Sequence, residues 1–146
     1  MRIIVFLTLS LISFSSIGQS RTIKGKVIYD IDFTSLPGTK IQDSDTVLLG
    51  TAGENGNFEI QLPSGTDELL LSFIGMEWTS VKVPKDCNNL EIIITADGTY
   101  DFTPARKVNR RRYKLFKGLP NKHRQAYEKG IFSSSTPCGV YIFHKY

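Results

Sequence analysis

The chain is poor in the residues that build most active sites. It carries two histidines and two cysteines in 146 residues. Cys87, Cys138, His123 and His144 lack the paired short spacings of a zinc site, so no metal centre is expected from them. His123 stands between Lys122 and Arg124, and His144 beside Lys145. Neighbouring positive charge disfavours an imidazolium and does not build a general base. Ser133-Ser134-Ser135 has no base near it in sequence and reads as a flexible linker. Asp43-Ser44-Asp45 lacks the further oxygen ligands of a calcium loop and reads as a solvated turn. Long apolar runs are also scarce, and after residue 12 none is long enough to cross a bilayer. Between Arg21 and Ala96 there is no helical period, which argues against βαβ units. We therefore expect no catalytic, metal or cofactor residues and a chain that is not an enzyme.

What the first residues do contain is the pattern of a secretory signal peptide. Arg2 supplies a positive start, Ile3 to Ile12 a short apolar stretch, and Ser16-Ile17-Gly18 the small residues of a cleavage site before Gln19. An N-terminal anchor or a buried first strand is the alternative. No cysteine follows the apolar stretch directly, which argues against a lipid-anchored form. The expected organisation is a signal peptide over residues 1–18, a sandwich domain over 19–97 and a basic extension over 98–146. The expected destination is the periplasm or the exterior. Export permits Cys87 and Cys138 to form a disulfide, the favoured reading over two free thiols. Closing a loop of about 50 residues would contribute about 4 kcal/mol in the chain-entropy picture.

From Arg21 onward, apolar and polar residues alternate in short runs separated by turn residues. Thr22–Tyr29 places Ile23, Val27 and Tyr29 on one face and Lys24 and Lys26 on the other, with Gly25 on the apolar side, where backbone could approach closely. Further strands are expected at 39–42 and 46–51. Phe58, Ile60 and Leu62 alternate with Asn57, Glu59 and Gln61. Asn55-Gly56 in front of them suggests a type I′ hairpin turn. Strands led by Leu69, Leu71 and Phe73, by Val81 and Val83 over 78–83, and by Leu90, Ile92 and Ile94 over 90–95 complete the set. About seven short strands with turns roughly every ten residues point to an all-β sandwich.

At Thr103-Pro104 the composition changes. Thr103 as N-cap with Pro104 at the first helical position predicts a helix that stops at Gly118. Val108, Leu115 and Phe116 give it a thin apolar stripe. A second short helix is predicted from Asn121 to Lys129, capped by Gly130, and an extended tail from Gly139 to Tyr146. The charge splits at the same place. Arg21 to Thr103 holds six basic and thirteen acidic residues, a net of −7. Pro104 to Tyr146 holds eleven basic residues against Glu128 alone, a net of +10.

Several of these positions also carry a resemblance. Gly25 with Val27, Leu36-Pro37-Gly38, Gly50-Thr51, Glu54-Asn55-Gly56 with Phe58, and Leu71-Ser72-Phe73-Ile74-Gly75-Met76 resemble the carboxypeptidase regulatory-like domain. The resemblance covers about Thr22 to Thr95 and implies a seven-stranded transthyretin-like (prealbumin-like) β-sandwich. Such domains occur as modules of TonB-dependent outer-membrane receptors and as stand-alone exported proteins. Where that family usually has an aspartate before the Asn-Gly, this chain has Gly53, which should loosen the turn. Ala126-Tyr127, Gly130-Ile131-Phe132 and Pro137-Cys138 resemble an extension of some stand-alone members. Transthyretin-like hydroxyisourate hydrolases use a histidine near the first strand and a Tyr-Arg-Gly-Ser terminus. This chain has neither: it has no histidine in Thr22–Tyr29 and ends Phe143-His144-Lys145-Tyr146.

Binding is the function class that remains. Arg106, Lys107, Arg110, Arg111, Arg112, Lys114 and Lys117 place seven cations in twelve residues with no acid among them. Export argues against nucleic acid as the partner, and no small-molecule substrate is indicated. The segment could be a solvated helix covering the sandwich. It could dock on the acidic half of its own or another copy, contact an envelope protein, or meet an anionic lipid or glycan surface. Trp78, Tyr127, Tyr141, Phe143 and Tyr146 could add a recognition surface or pack the extension onto the sheet.

Overall fold

A computed structural model describes residues 18–146, so the expected signal peptide at 1–18 lies almost wholly outside the described residues. Two sheets face each other. One has the order β4-β1-β7, and the other β3-β2-β5-β6-β8. The strands are β1 (Arg21–Tyr29), β2 (Lys40–Asp43), β3 (Leu48–Thr51), β4 (Asn57–Leu62), β5 (Glu68–Ser72), β6 (Thr79–Lys82), β7 (Asn89–Ile94) and β8 (Val140–Ile142). All neighbours are antiparallel except β1 and β7, which run parallel. The protein is therefore a β-sandwich. Seven strands fall where alternation predicts them, and the tail adds an eighth beside β6.

The core lies between the inner faces and is filled by residues the alternation selects, among them Ile23, Val27, Ile41, Phe58, Ile60, Leu71, Val81 and Ile92. Gly25 pairs with Phe58 on one side and Leu90 on the other. A Cβ there would strike the Leu90 carbonyl and the Phe58 ring, so the close approach expected at this glycine is real.

Two local expectations change. Gly56 has φ +72, but Asn55 is not among the residues with positive φ. The chain turns over Gly53–Gly56, with the Gly56 N–H donating to the Gly53 carbonyl at 2.9 Å. A type I′ turn needs positive φ at both central residues, so this is a different turn. The strands it joins, β3 and β4, also lie in different sheets. The strand expected from residue 46 starts at Leu48, because the Asp43 carboxylate accepts the N–H groups of Asp45 and Val47, each at 2.9 Å, and holds that segment as a turn.

The two predicted helices are one. α1 runs unbroken from Ala105 to Glu128, through Gly118 and Pro120. Continuity keeps Val108, Leu119, His123 and Ala126 buried on one side. Pro120 lies on the exposed side, where the acceptor it orphans can meet water. Pro104 flanks the helix and does not open it. No side chain caps that end, and the Thr103 hydroxyl turns back to the Asp101 carbonyl at 3.4 Å. At the other end Gly130 (φ +73) does cap the helix. Its N–H donates to Tyr127, and that of Ile131 to Ala126, the paired bonds of a Schellman motif.

α1 covers the outer face of the three-stranded sheet. Ile28 of β1 and Ile93 of β7 point away from the sandwich core and meet Leu119, Ala126 and Phe132 in a second apolar cluster. The Cys87–Cys138 disulfide ties the segment after α1 to the loop before β7. Arg21 braces that loop, donating to the carbonyls of Val83, Pro84, Lys85 and Cys87.

Candidate interaction surface

The spacing of α1 sorts its cations. Arg106, Arg110, Lys114 and Lys117 recur at intervals of four, four and three residues and form one stripe on the side opposite the buried Val108, Leu119 and Ala126. Lys107 and Arg111 flank it. All six are exposed, and among the described residues none of them pairs with an acid.

Arg112 is different. Its guanidinium forks onto the Glu77 carboxylate, with Nε 2.9 Å from Oε1 and Nη2 3.0 Å from Oε2. Both side chains are only about 10% exposed. Nη1 donates to the His144 carbonyl at 2.8 Å, and the guanidinium carbon lies 3.9 Å from the Tyr146 ring centroid. Beside it, the Asn109 amide exchanges two hydrogen bonds with the Tyr146 backbone. Arg112 therefore fastens helix, sandwich and tail together and is not part of the open face. Of the seven cations, it alone meets an acid of the sandwich.

On one flank of the stripe, Arg106, Asn109, Arg110, Tyr113, Phe143 and Lys145 line a shallow hollow. Three cations and two aromatic rings share its lining, and the rings pack edge to face at 5.1 Å. Just before α1, Phe102 is fully exposed and has φ +57, a conformation disfavoured for a residue with a side chain.

The histidines do not share a site. His144 is exposed in the tail. His123, flanked in sequence by Lys122 and Arg124, is fully buried on the inner face of α1, with its ring tilted against Phe132 at 4.7 Å between centroids. Its Nε2 donates to the Ser134 carbonyl at 3.0 Å and lies 3.8 Å from Glu91 Oε2, while Nδ1 has no partner. Burial pushes its pKa below the ordinary value, against opposing pulls from Glu91 and the Ser134 carbonyl. Burial is thus the leading cause here, in place of the flanking cations.

Ser133 and Ser134 are not a loose linker either. Glu91 accepts the Ser133 hydroxyl at 2.8 Å and both serine N–H groups. The histidine N–H is spent on a carbonyl, and Glu91 gathers one serine hydroxyl and two backbone N–H groups of the same segment. The arrangement holds a loop.

The aromatics scatter. Tyr141 turns inward, and its hydroxyl accepts the free edge N–H of Ile93 at 2.8 Å. Burial raises that phenol well above its usual range. Phe143 packs with Tyr113 and Phe116, and Tyr146 lies on Arg112. Trp78 and Tyr127 stay exposed on separate elements. Cys87 and Cys138 are bonded to each other and so are not available as thiolate ligands.

Two features of the helix-to-sheet contact had signals in the sequence. Ile28 and Ile93 break the strand alternation with an extra apolar residue, as expected for a sheet covered on both faces. His123 also falls four residues after Leu119 and three before Ala126, in register with the buried face.

No family model matches this chain, and neither does any curated protein. Among solved structures, the C-terminal domain of the PapC usher is similar to this chain at 14% identity with a TM-score of 0.37, covering 52% of this chain and 98% of that one.

Proposed function

We propose that the protein is an exported, non-catalytic β-sandwich of the carboxypeptidase regulatory-like type that works by contact at the cell envelope, with the outer stripe of α1 as its contact face. One observation carries the reading: Arg106, Lys107, Arg110, Arg111, Lys114 and Lys117 are exposed and unpaired on a helix whose opposite side is fastened to the sandwich. Unpaired like charges repel along a helix and cost stability, so a stripe of them suits an anionic partner outside the molecule. The Cys87–Cys138 disulfide is in keeping with an oxidising compartment.

The test is envelope retention in cells. Wild-type protein should stay with the envelope fraction and come off in high salt. The triple variant Arg106→Ser, Arg110→Ser, Lys114→Ser should be found largely in the soluble fraction. Equal retention of the two would remove α1 from the contact.

A further inference from the structure

We infer that the contact face meets the surface of an anionic lipid bilayer, with the α1 stripe lying over the headgroups and Phe102 entering the interface. The inference rests on the reading of α1 as a contact face and names what that face meets. From Arg106 to Lys117 the stripe is about 16 Å long at the rise of an α-helix. It carries only positive charge, with no carboxylate to match a cation on a partner. Such a row suits a continuous plane of negative charge.

The composition points the same way. Lysine is depleted at the cores of protein–protein interfaces, where aromatic residues and arginine are enriched, so it is the lysines of this face that speak for a lipid surface. Here Lys107, Lys114, Lys117 and Lys145 are all exposed, and Tyr113 is half exposed beside them. Polybasic segments of this kind are drawn to anionic leaflets.

Phe102 supplies the apolar element that charge alone lacks. It sits at the tip of a turn closed by the Thr103 N–H on the Tyr100 carbonyl at 3.0 Å, and its ring is uncovered. Holding an aromatic residue fully exposed at positive φ costs stability twice over, through strain and through hydration. Phe102 precedes Arg106 by four residues, and in the docked state its ring sits at the headgroup boundary while the cations meet phosphate. Arg106, Arg110 and Lys145 line one hollow, and cationic donors of this kind, two of them guanidinium forks, suit a phosphate group.

Flotation of the disulfide-bonded full chain with protein-free vesicles tests this. Vesicles of phosphatidylcholine alone are compared with vesicles holding about 30 mol% phosphatidylglycerol. The zwitterionic set subtracts any binding by the apolar residues 3–12. We expect flotation with the anionic vesicles and release at about 0.5 M salt. Arg106→Ser with Arg110→Ser should weaken binding on the order of 25-fold, about fivefold per cation. Phe102→Ser should weaken it several-fold with its salt dependence unchanged.

Equal binding to both vesicle types, or anionic binding that the double arginine variant leaves intact, overturns lipid docking. Unchanged binding by Phe102→Ser overturns the insertion. If retention in cells depends on the cations while vesicles do not bind, lipid docking falls, the contact face stands and its partner is an acidic protein or glycan of the envelope. If retention ignores the cations, the contact face itself falls.

Discussion

Seven neighbouring cations with the same formal charge do two different things because their surroundings differ. Arg112 is withdrawn from water and answered by Glu77, and removing one partner of such a pair leaves the other charge stranded. The six exposed cations lose little water and, among the described residues, meet no carboxylate. His123 shows the same dependence on surroundings. Its pKa is depressed in the fold by burial, so below about 6.5 the unfolded chain takes up a proton that the folded one resists. Stability should therefore fall as pH drops below that point. His123→Gln should flatten the fall, as read from urea unfolding midpoints between about pH 7.5 and 5. A midpoint equally pH-dependent in the variant would contradict this account of the ring.

At the scale of elements, α1 and the sheet beneath it hold each other in place. A glycine followed two residues later by a proline ordinarily ends a helix, and in the sequence Gly118 reads as the stop. The packing of Leu119 and Ala126 against Ile28 and Ile93 outweighs that local preference. Gly118 then remains as a flexible residue inside a helix, with open space where a Cβ would sit. Gly118→Ala should stabilise the protein by about 0.5–1 kcal/mol, measured by chemical denaturation. No gain would mean that the helix is interrupted there. The strands were far more legible, because each buries one face and alternation records that directly. The helix was less so, since its buried face is set by a partner more than seventy residues away in Ile28.

For the whole molecule, the sequence divides cleanly into an acidic sandwich and a basic extension, and the two halves are joined chiefly by apolar contact. Beyond that contact, the β6–β8 backbone pairing, Arg112 with Glu77, Glu91 with Ser133, Ser134 and His123, the Ile93–Tyr141 hydrogen bond and the disulfide cross between them. The candidate face was visible as a run of seven basic residues. What the run could not show was that one of the seven is internal, because that depends on where Glu77 and Tyr146 lie in space.

A serine scan of Arg106, Lys107, Arg110, Arg111, Arg112, Lys114 and Lys117, read for both unfolding midpoint and envelope retention, tests this division most directly. Arg112→Ser should cost about 3 kcal/mol or more. The stripe positions Arg106, Arg110, Lys114 and Lys117 should each change stability by less than about 0.5 kcal/mol while lowering retention. An Arg112→Ser variant as stable as the rest, or stripe variants that all keep full retention, would contradict the account.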